Sequence, residues 1–292
     1  MTMPVSGPIA TEGVVAKTWF ITGASRGLGA LIAEQALGRG DNVVATARDP
    51  ARVVGRLGDS PNLLAVALDV TNEAQARAAA DAAVARFGRI DILLNNAGFG
   101  LLGAVEEATA PEIERVYATN VFGLLAVTRA VLPHMRRQRS GHVLNISSIG
   151  GYAASAGWGV YCSTKFAVEG ITEALALELK PLGVHATVIE PGFFRTDFLD
   201  AQSLSVSPSH IDDYADTAGA MRSFAASANH AQPGDPAKLA RALMTVVDAA
   251  EPPLRMPFGS DAVRRIEAKN AAVAQELARW RDLSVSSDAT MA

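Results

Sequence analysis

From Lys17 onward the chain alternates between short runs of β-branched and other apolar residues and longer alanine-rich stretches. Most of the short runs are apolar at every position instead of every second one. A strand of that kind has no face to show to water, so it belongs in a parallel sheet with helices on both sides. Residues Lys17 to Thr22, Asn42 to Thr46, Asn62 to Leu68, Asp91 to Asn95, His142 to Ser147, Val184 to Glu190 and Leu254 to Phe258 read as strands. Helical stretches lie near 27–39, 51–57, 72–87, 111–137, 158–180, 235–250 and 260–281. The expected fold is α/β, a doubly wound parallel sheet of about seven strands with helices on both faces.

Punctuation supports these boundaries. Thr109 with Pro111, and Asp235 with Pro236, place a capping side chain and an early proline at two helix starts. A chain of 292 residues without a repeat or a linker suits one large domain. We expect it to span 17–283, between a flexible arm over 1–16 and a disordered tail over 284–292. The stretch Phe193 to Pro233 has no clean period, and a connection this long is expected to be a lid or binding segment.

Composition narrows the partners. With 26 basic and 30 acidic residues and no basic block beyond Arg136, Arg137 and Arg139, nucleic acid is not an expected partner. Arg129 interrupts the richest apolar run, so no membrane span is expected, and residues 1–16 lack the pattern of a signal peptide. One cysteine, Cys162, excludes an intrachain disulfide and reads as a small helix residue. The five histidines have no paired metal spacing, so no metal is expected. The protein is expected in the cytoplasm.

Between the first strand and first helix lies Thr22-Gly23-Ala24-Ser25-Arg26-Gly27-Leu28-Gly29. Glycines suit a sharp backbone turn that must approach a pyrophosphate closely, while free N–H groups at the helix start bind the anion. Dinucleotide binding follows. The end of the second strand should read the adenosine ribose, where an acid favours a 2′-hydroxyl and a base a 2′-phosphate. Here stand Ala47 and Arg48, with no acid before Asp49 and with Arg26 in the glycine turn nearby. NADP(H) is therefore expected over NAD(H).

A second motif-bearing stretch runs from Ser148 to Lys165, SIGGYAASAGWGVYCSTK. Tyr161 and Lys165 are one helical turn apart and share a face. Reducing a ketone with hydride leaves an alkoxide that needs a proton, and so an acid near the working pH. A free tyrosine titrates near ~10, and moving it by ~3 units takes ~4 kcal/mol. A neighbouring ammonium and an oxidised nicotinamide both favour the phenolate, so Lys165 is placed to contribute. Ser148 would stabilise charge on the substrate oxygen, and its neighbour Ser147 must face the other way.

With the glycine turn, Asn95-Asn96-Ala97-Gly98, Asn120, Ser148, Tyr161, Lys165 and Pro191-Gly192 in this order, the chain resembles the short-chain dehydrogenase/reductase family from about Lys17 to Thr196. The resemblance implies a Rossmann-type fold, a carbonyl or secondary-alcohol substrate, and Tyr161 as general acid/base with Ser148 selected over Ser147 by spacing. It also implies that Lys165 holds the nicotinamide ribose and that Asn120 anchors a proton-relaying water. Asp69 and Val70 would flank the adenine, Asn95, Asn96, Ala97 and Gly98 would form the turn under the cofactor, and Thr196 would touch the carboxamide. Asp69 has an alternative use, capping the next helix with Thr71 and Asn72. The family commonly forms dimers or tetramers through the helices bearing Asn120 and Tyr161.

For the substrate pocket, Phe99, Tyr152, Trp158, Phe193, Phe194 and Phe198 are the expected walls, with Leu101 and Leu102 nearby, giving an apolar or aromatic substrate. The stripe Ala262, Val263, Ile266, Val273 and Leu277 suggests that the last helix packs on the domain or on a partner subunit. A serine hydrolase is disfavoured because no G-x-S-x-G elbow is present. A non-catalytic NADPH sensor is the remaining alternative. Such proteins keep the glycine turn and lose the tyrosine or lysine, whereas both are present here.

Overall fold

The structure is a computed structural model and describes residues 16–289; the N-terminal arm expected over 1–16 lies almost wholly outside them. In chain order the elements are β1 (Thr18–Thr22), α1 (Gly27–Gly38), β2 (Asn42–Ala47), α2 (Pro50–Leu57), β3 (Leu63–Ala67), α3 (Glu73–Phe87), β4 (Ile92–Asn95) and β5 (Gly100–Leu102). Then follow α4 (Ala110–Tyr117), a π turn over Ala118–Gly123, α5 (Leu124–Gln138), β6 (Gly141–Ile146), α6 (Gly159–Leu179) and β7 (Val184–Pro191). The chain continues with β8 (Leu204–Val206), α7 (Ala220–Ala228), α8 (Pro236–Asp248), β9 (Arg255–Phe258) and α9 (Ser260–Val285).

Seven strands form one sheet in the order β3-β2-β1-β4-β6-β7-β9, all parallel. Successive strand residues feed opposite layers. Trp19, Ile21, Val43 and Ala45 pack with α1 and α8, while Phe20, Val44, Leu93 and Val143 pack with α3, α5 and α6. Both layers exclude water, which is why these strands are apolar at every position. The strand order reverses direction between β1 and β4, so a crevice opens at their carboxyl ends.

The caps fall where the side chains allow. Asp235 accepts from Ala237 N (2.9 Å) and Lys238 N (3.3 Å), with Pro236 opening α8. Thr109 caps α4, and its hydroxyl donates to Glu112 Oε2 at 2.8 Å. The single helix expected over 111–137 is interrupted at the π turn, which carries Asn120. By length and composition 110–138 is apolar enough to cross a membrane despite Arg129, but 56% of its apolar window is buried inside the domain.

Two further segments, the expected lid and the expected tail, carry more regular structure than the sequence signals. The stretch 193–233 is a built structure, with β8 paired in parallel to β5, a π turn over Ala215–Gly219, and α7. Glu107, in a 3₁₀ turn, ties it down by pairing with Arg222 at 2.7 Å. The tail expected to be disordered from 284 begins as helix. There α9 runs to Val285 and ends in hydrogen-bonded turns, Ser286 N to Asp282 O at 3.1 Å and Asp288 N to Val285 O at 3.1 Å.

Candidate active site

The crevice is a cavity of about 890 Å³ bounded by the ends of β1, β2, β4, β6 and β7, by α6, and by the 193–205 segment. Its first end is the glycine turn. Arg26 is the extended residue before α1, so the first N–H groups of that helix point outward without a side-chain cap. Gly27, at φ 54°, has nothing within 4 Å of where a Cβ would stand and so faces open space. Gly29 is the opposite case. A Cβ there would meet Asn96 Nδ2 at 2.5 Å and Gly23 O at 2.6 Å, so the helix start can lie on the β4 turn only without a side chain.

Thr22 ties the two turns together. Its Oγ1 accepts from Asn96 N (2.9 Å) and Ala97 N (3.0 Å), and Asn96 Nδ2 donates back to Thr22 O (2.9 Å). Neither Thr22 nor Gly29 lines the cavity; both shape it from behind. Gly23, Ser25, Gly27, Leu28, Asn96, Ala97, Gly98, Val70, Pro191, Gly192 and Thr196 all line it. A cradle of free helix-start N–H groups beside a side-chain-free surface fits the pyrophosphate of a dinucleotide.

At the adenosine end Arg48 lines the cavity, whereas Asp49 is spent as the N-cap of α2, accepting from Ala51 N at 3.0 Å. Asp69 lines the cavity and also makes the capping-type turn considered as its alternative use, accepting from Thr71 Oγ1 (2.7 Å) and Thr71 N (3.0 Å). Those bonds, with the charge of Arg48, hold its carboxyl below the ordinary range. Arg26 also lines the cavity, with its guanidinium held by the facing segment. Its Nη1 and Nη2 donate to Gln202 Oε1 and Gln202 O, both at 2.7 Å, so it clasps the 193–205 segment over the glycine turn.

At the other end Ser148, Tyr161 and Lys165 converge. Ser148 stands just beyond β6, and its Oγ accepts from Gly150 N at 3.0 Å. Tyr161 is 7% exposed, and burial pushes its phenol upward against the opposing hydrogen bond with Ser148. Lys165 Nζ lies 5.8 Å from the Tyr161 ring centroid and donates to Ile146 O at 2.8 Å. Burial lowers Lys165 to about 8, with the charge of Glu169 acting the other way. Ser147 is buried, and its hydroxyl faces Lys165 O at 3.5 Å.

Asn120 sits behind this group, 2% exposed. Its Nδ2 donates to Phe99 O (2.9 Å) and Thr164 Oγ1 (3.2 Å), and its Oδ1 accepts from Phe99 N (3.1 Å). Both amide donors are taken, which leaves one Oδ1 lone pair. Thr164 Oγ1 itself bonds Tyr161 O at 2.7 Å, so Asn120 is linked to the tyrosine through their shared neighbour.

Five of the six expected pocket aromatics, Phe99, Trp158, Phe193, Phe194 and Phe198, line the cavity. Phe198 stacks on Trp158 (6.4 Å between centroids) and lies 5.5 Å from Tyr161. Tyr152 does not join them. The 3₁₀ turn Ile149–Gly151 swings it outward, where its hydroxyl donates to Asn270 of α9 and its ring meets Arg255. Sequence reasoning passed over Arg115, Leu204 and Arg265 as lining residues. Arg265 reaches in from α9 and ties the loop before α6 by donating to Ala153 O (2.8 Å) and Ser155 Oγ (2.9 Å), a contact across about 110 positions that no local pattern signals.

This arrangement has close counterparts. The family model described as short chain dehydrogenase matches residues 17–205. The chain is 39% identical over 274 residues to "Oxidoreductase BOA17" of Botryotinia fuckeliana, covering 93% of this chain and 99% of that one. It is 39% identical over 240 residues to a "3-ketodihydrosphingosine reductase" of Bacteroides thetaiotaomicron, covering 82% and 86%. Among solved structures, a short-chain dehydrogenase from Streptomyces avermitilis superposes with TM-score 0.86 at 39% identity, covering 94% of this chain and 100% of that one. A short chain dehydrogenase/reductase from Burkholderia phymatum in complex with NAD gives 0.72 at 27%, covering 95% and 97%. With a parallel sheet whose crevice fits a nicotinamide dinucleotide, and with these relatives, the chain belongs to the short-chain dehydrogenase/reductase family of oxidoreductases.

Proposed function

We propose that the protein is an NADP(H)-dependent oxidoreductase that interconverts an apolar ketone or aldehyde and its alcohol, with Tyr161 as the general acid/base. The observation that carries this reading is the convergence of Ser148, Tyr161 and Lys165 in the same cavity as the glycine turn. Bound along that cavity, the nicotinamide would supply or accept the hydride.

The remaining work falls to the chain's own residues. Ser148 Oγ donates to the substrate oxygen and stabilises the charge that grows there. Burial alone holds the Tyr161 phenol protonated and raises it, so the Lys165 ammonium and a bound oxidised nicotinamide would have to act the other way to bring it toward the working pH. Lys165 spends one N–H on Ile146 O and keeps two for the ribose hydroxyls, while its charge favours the phenolate that Tyr161 becomes. Trp158, Phe198 and Leu204 exclude water and present an apolar wall to the substrate.

The preference for NADP(H) rests on Arg48 in the cavity and on Asp49 being occupied as a helix cap. A charge pair at ~4 Å is worth ~4 kcal/mol at an effective dielectric near 20, so even a strongly screened arginine selects the phosphate. Self-association fits the exposed Phe122 of the π turn and Phe166 and Leu177 of α6.

The test is Tyr161→Phe assayed with NADPH and a panel of ketones. NADPH binding persists and turnover falls about 10²- to 10⁴-fold if the phenol donates the proton. Turnover near wild type refutes the assignment, and NADPH binding by the wild type with no oxidation across the panel identifies a sensor instead. Arg48→Asp reads the cofactor preference: the ratio of NADPH to NADH efficiency drops, and an unchanged ratio rejects it.

A further inference from the structure

The helix that carries the site continues its spacing one step beyond it. Tyr161, Lys165 and Glu169 follow one another at single turns on one face of α6, and Glu169 is 6% exposed. Opposite it, near the end of β7, stands Glu190, fully buried. Both carboxylates reach the same guanidinium group: Arg255 Nε lies 3.4 Å from Glu169 Oε2 and 3.5 Å from Glu190 Oε1. The arginine is divided further, because its Nη2 is held by Glu173.

With both groups ionised, none of their four oxygens has a hydrogen-bond partner among the described residues. One proton between them repairs much of this, since it turns one carboxyl into a donor to the other. The pair then keeps a single negative charge. Charged or titratable groups facing it are Lys165 and Glu173 from α6 and Arg255 from β9, and the Ser147 hydroxyl adjoins Glu169 from the end of β6. Lys165 is the cation on the catalytic side, and burial works against its charge.

We propose that Glu169 and Glu190, sharing one proton, form a buried counter-charge that keeps Lys165 an ammonium during turnover. Glu169 is thus a positioning residue that acts through Lys165. The inference rests on the role given to Lys165 under the proposed function.

The experiment is the pH profile of kcat/KM for NADPH-dependent reduction of a ketone that the wild type accepts, run for Glu169→Gln and Glu190→Gln with thermal unfolding in parallel. Removing the charge at Glu169 lets Lys165 deprotonate sooner, so the basic limb moves down by about one pH unit. Glu190→Gln leaves the charge on Glu169, so the limb stays or moves up. A structural loosening would move both variants alike. Coincident profiles for Glu169→Gln and wild type, or a downward shift in Glu190→Gln, overturn the proposal. The second criterion stands alone if Glu169→Gln does not fold. Failure of the underlying reading shows separately, as turnover retained by Tyr161→Phe at pH 7.

Discussion

Two buried regions each set glutamate against an arginine, and they solve the problem differently. Glu107, under the 193–233 segment, accepts from Ala104 N (2.7 Å), Ile211 N (2.9 Å), Arg222 Nη1 (2.7 Å) and Arg222 Nη2 (3.3 Å). The Arg222 hydrogen bonds, more than any other influence, pull its carboxyl down to about 2. Behind the active site, Glu169 and Glu190 divide one guanidinium at 3.4–3.5 Å and accept no backbone N–H, and burial drives both carboxyls upward, Glu190 to about 8. All three carboxylates have little exposed surface, although Glu107 lies in a shallower part of the fold than the other two. The number of donors per carboxylate, and not burial alone, decides whether a buried glutamate is an anchor or a holder of protons.

The sharpest way to break this contrast is Glu107→Ala. It strands Arg222, 16% exposed at its side chain, and two backbone N–H groups, so it should cost about 3 kcal/mol by urea unfolding at pH 7. A group with a depressed folded pKa gives stability above its unfolded value and loses it as pH falls through the folded one. The gap between variant and wild type should therefore shrink between about 4.5 and 2. A loss that does not change with pH in that window would mean packing, not charge, is at stake.

Glu190→Gln should show the reverse sign with a smaller size. A raised carboxyl holds in the folded state a proton that the unfolded chain releases, so the wild type loses stability as pH rises from about 4.5 toward 8. The variant, freed of that burden, should be about 1–2 kcal/mol more stable than wild type at pH 9 and indistinguishable at pH 5. Equal stability at both values would remove the proton-sharing picture. The smallest effect belongs to Glu173→Gln, whose side chain is 50% exposed; it should change stability by less than about 0.5 kcal/mol. A larger loss would show that the arginine's outer partner controls the inner pair.

The same contrast separates what the sequence reveals from what it does not. Strands such as Phe20–Ile21 and Val43–Val44 announce themselves because both faces are buried, and Tyr161 and Lys165 are related by a single helical turn. Local spacing carries that information. The β5–β8 pair is three residues on each side and joins Gly100 to Leu204, too short for a period and too distant for a turn signal. The buried glutamates are invisible for a related reason, since Glu169, Glu190 and Arg255 meet only through the β7–β9 register and the packing of α6. Tyr152 leaves the pocket because the three-residue 3₁₀ turn before it redirects the chain, a change too short to leave a periodic signal.

The wide turn over Ala118–Gly123 has a consequence for how this protein can vary. One extra residue in a helix offsets everything before it from everything after it by about 100°. That offset lets α4 lay Ile113, Val116 and Tyr117 against Leu101 and Val160, while α5 lays Val127, Val131 and Met135 under the sheet. Losing any single residue from the turn would restore a regular helix and rotate one of the two faces away from its partner. The turn is thus constrained in its length as well as in its letters, since it also holds Asn120 against Phe99 and Thr164 and seats Gly123 where a Cβ would meet Val70 at 2.6 Å.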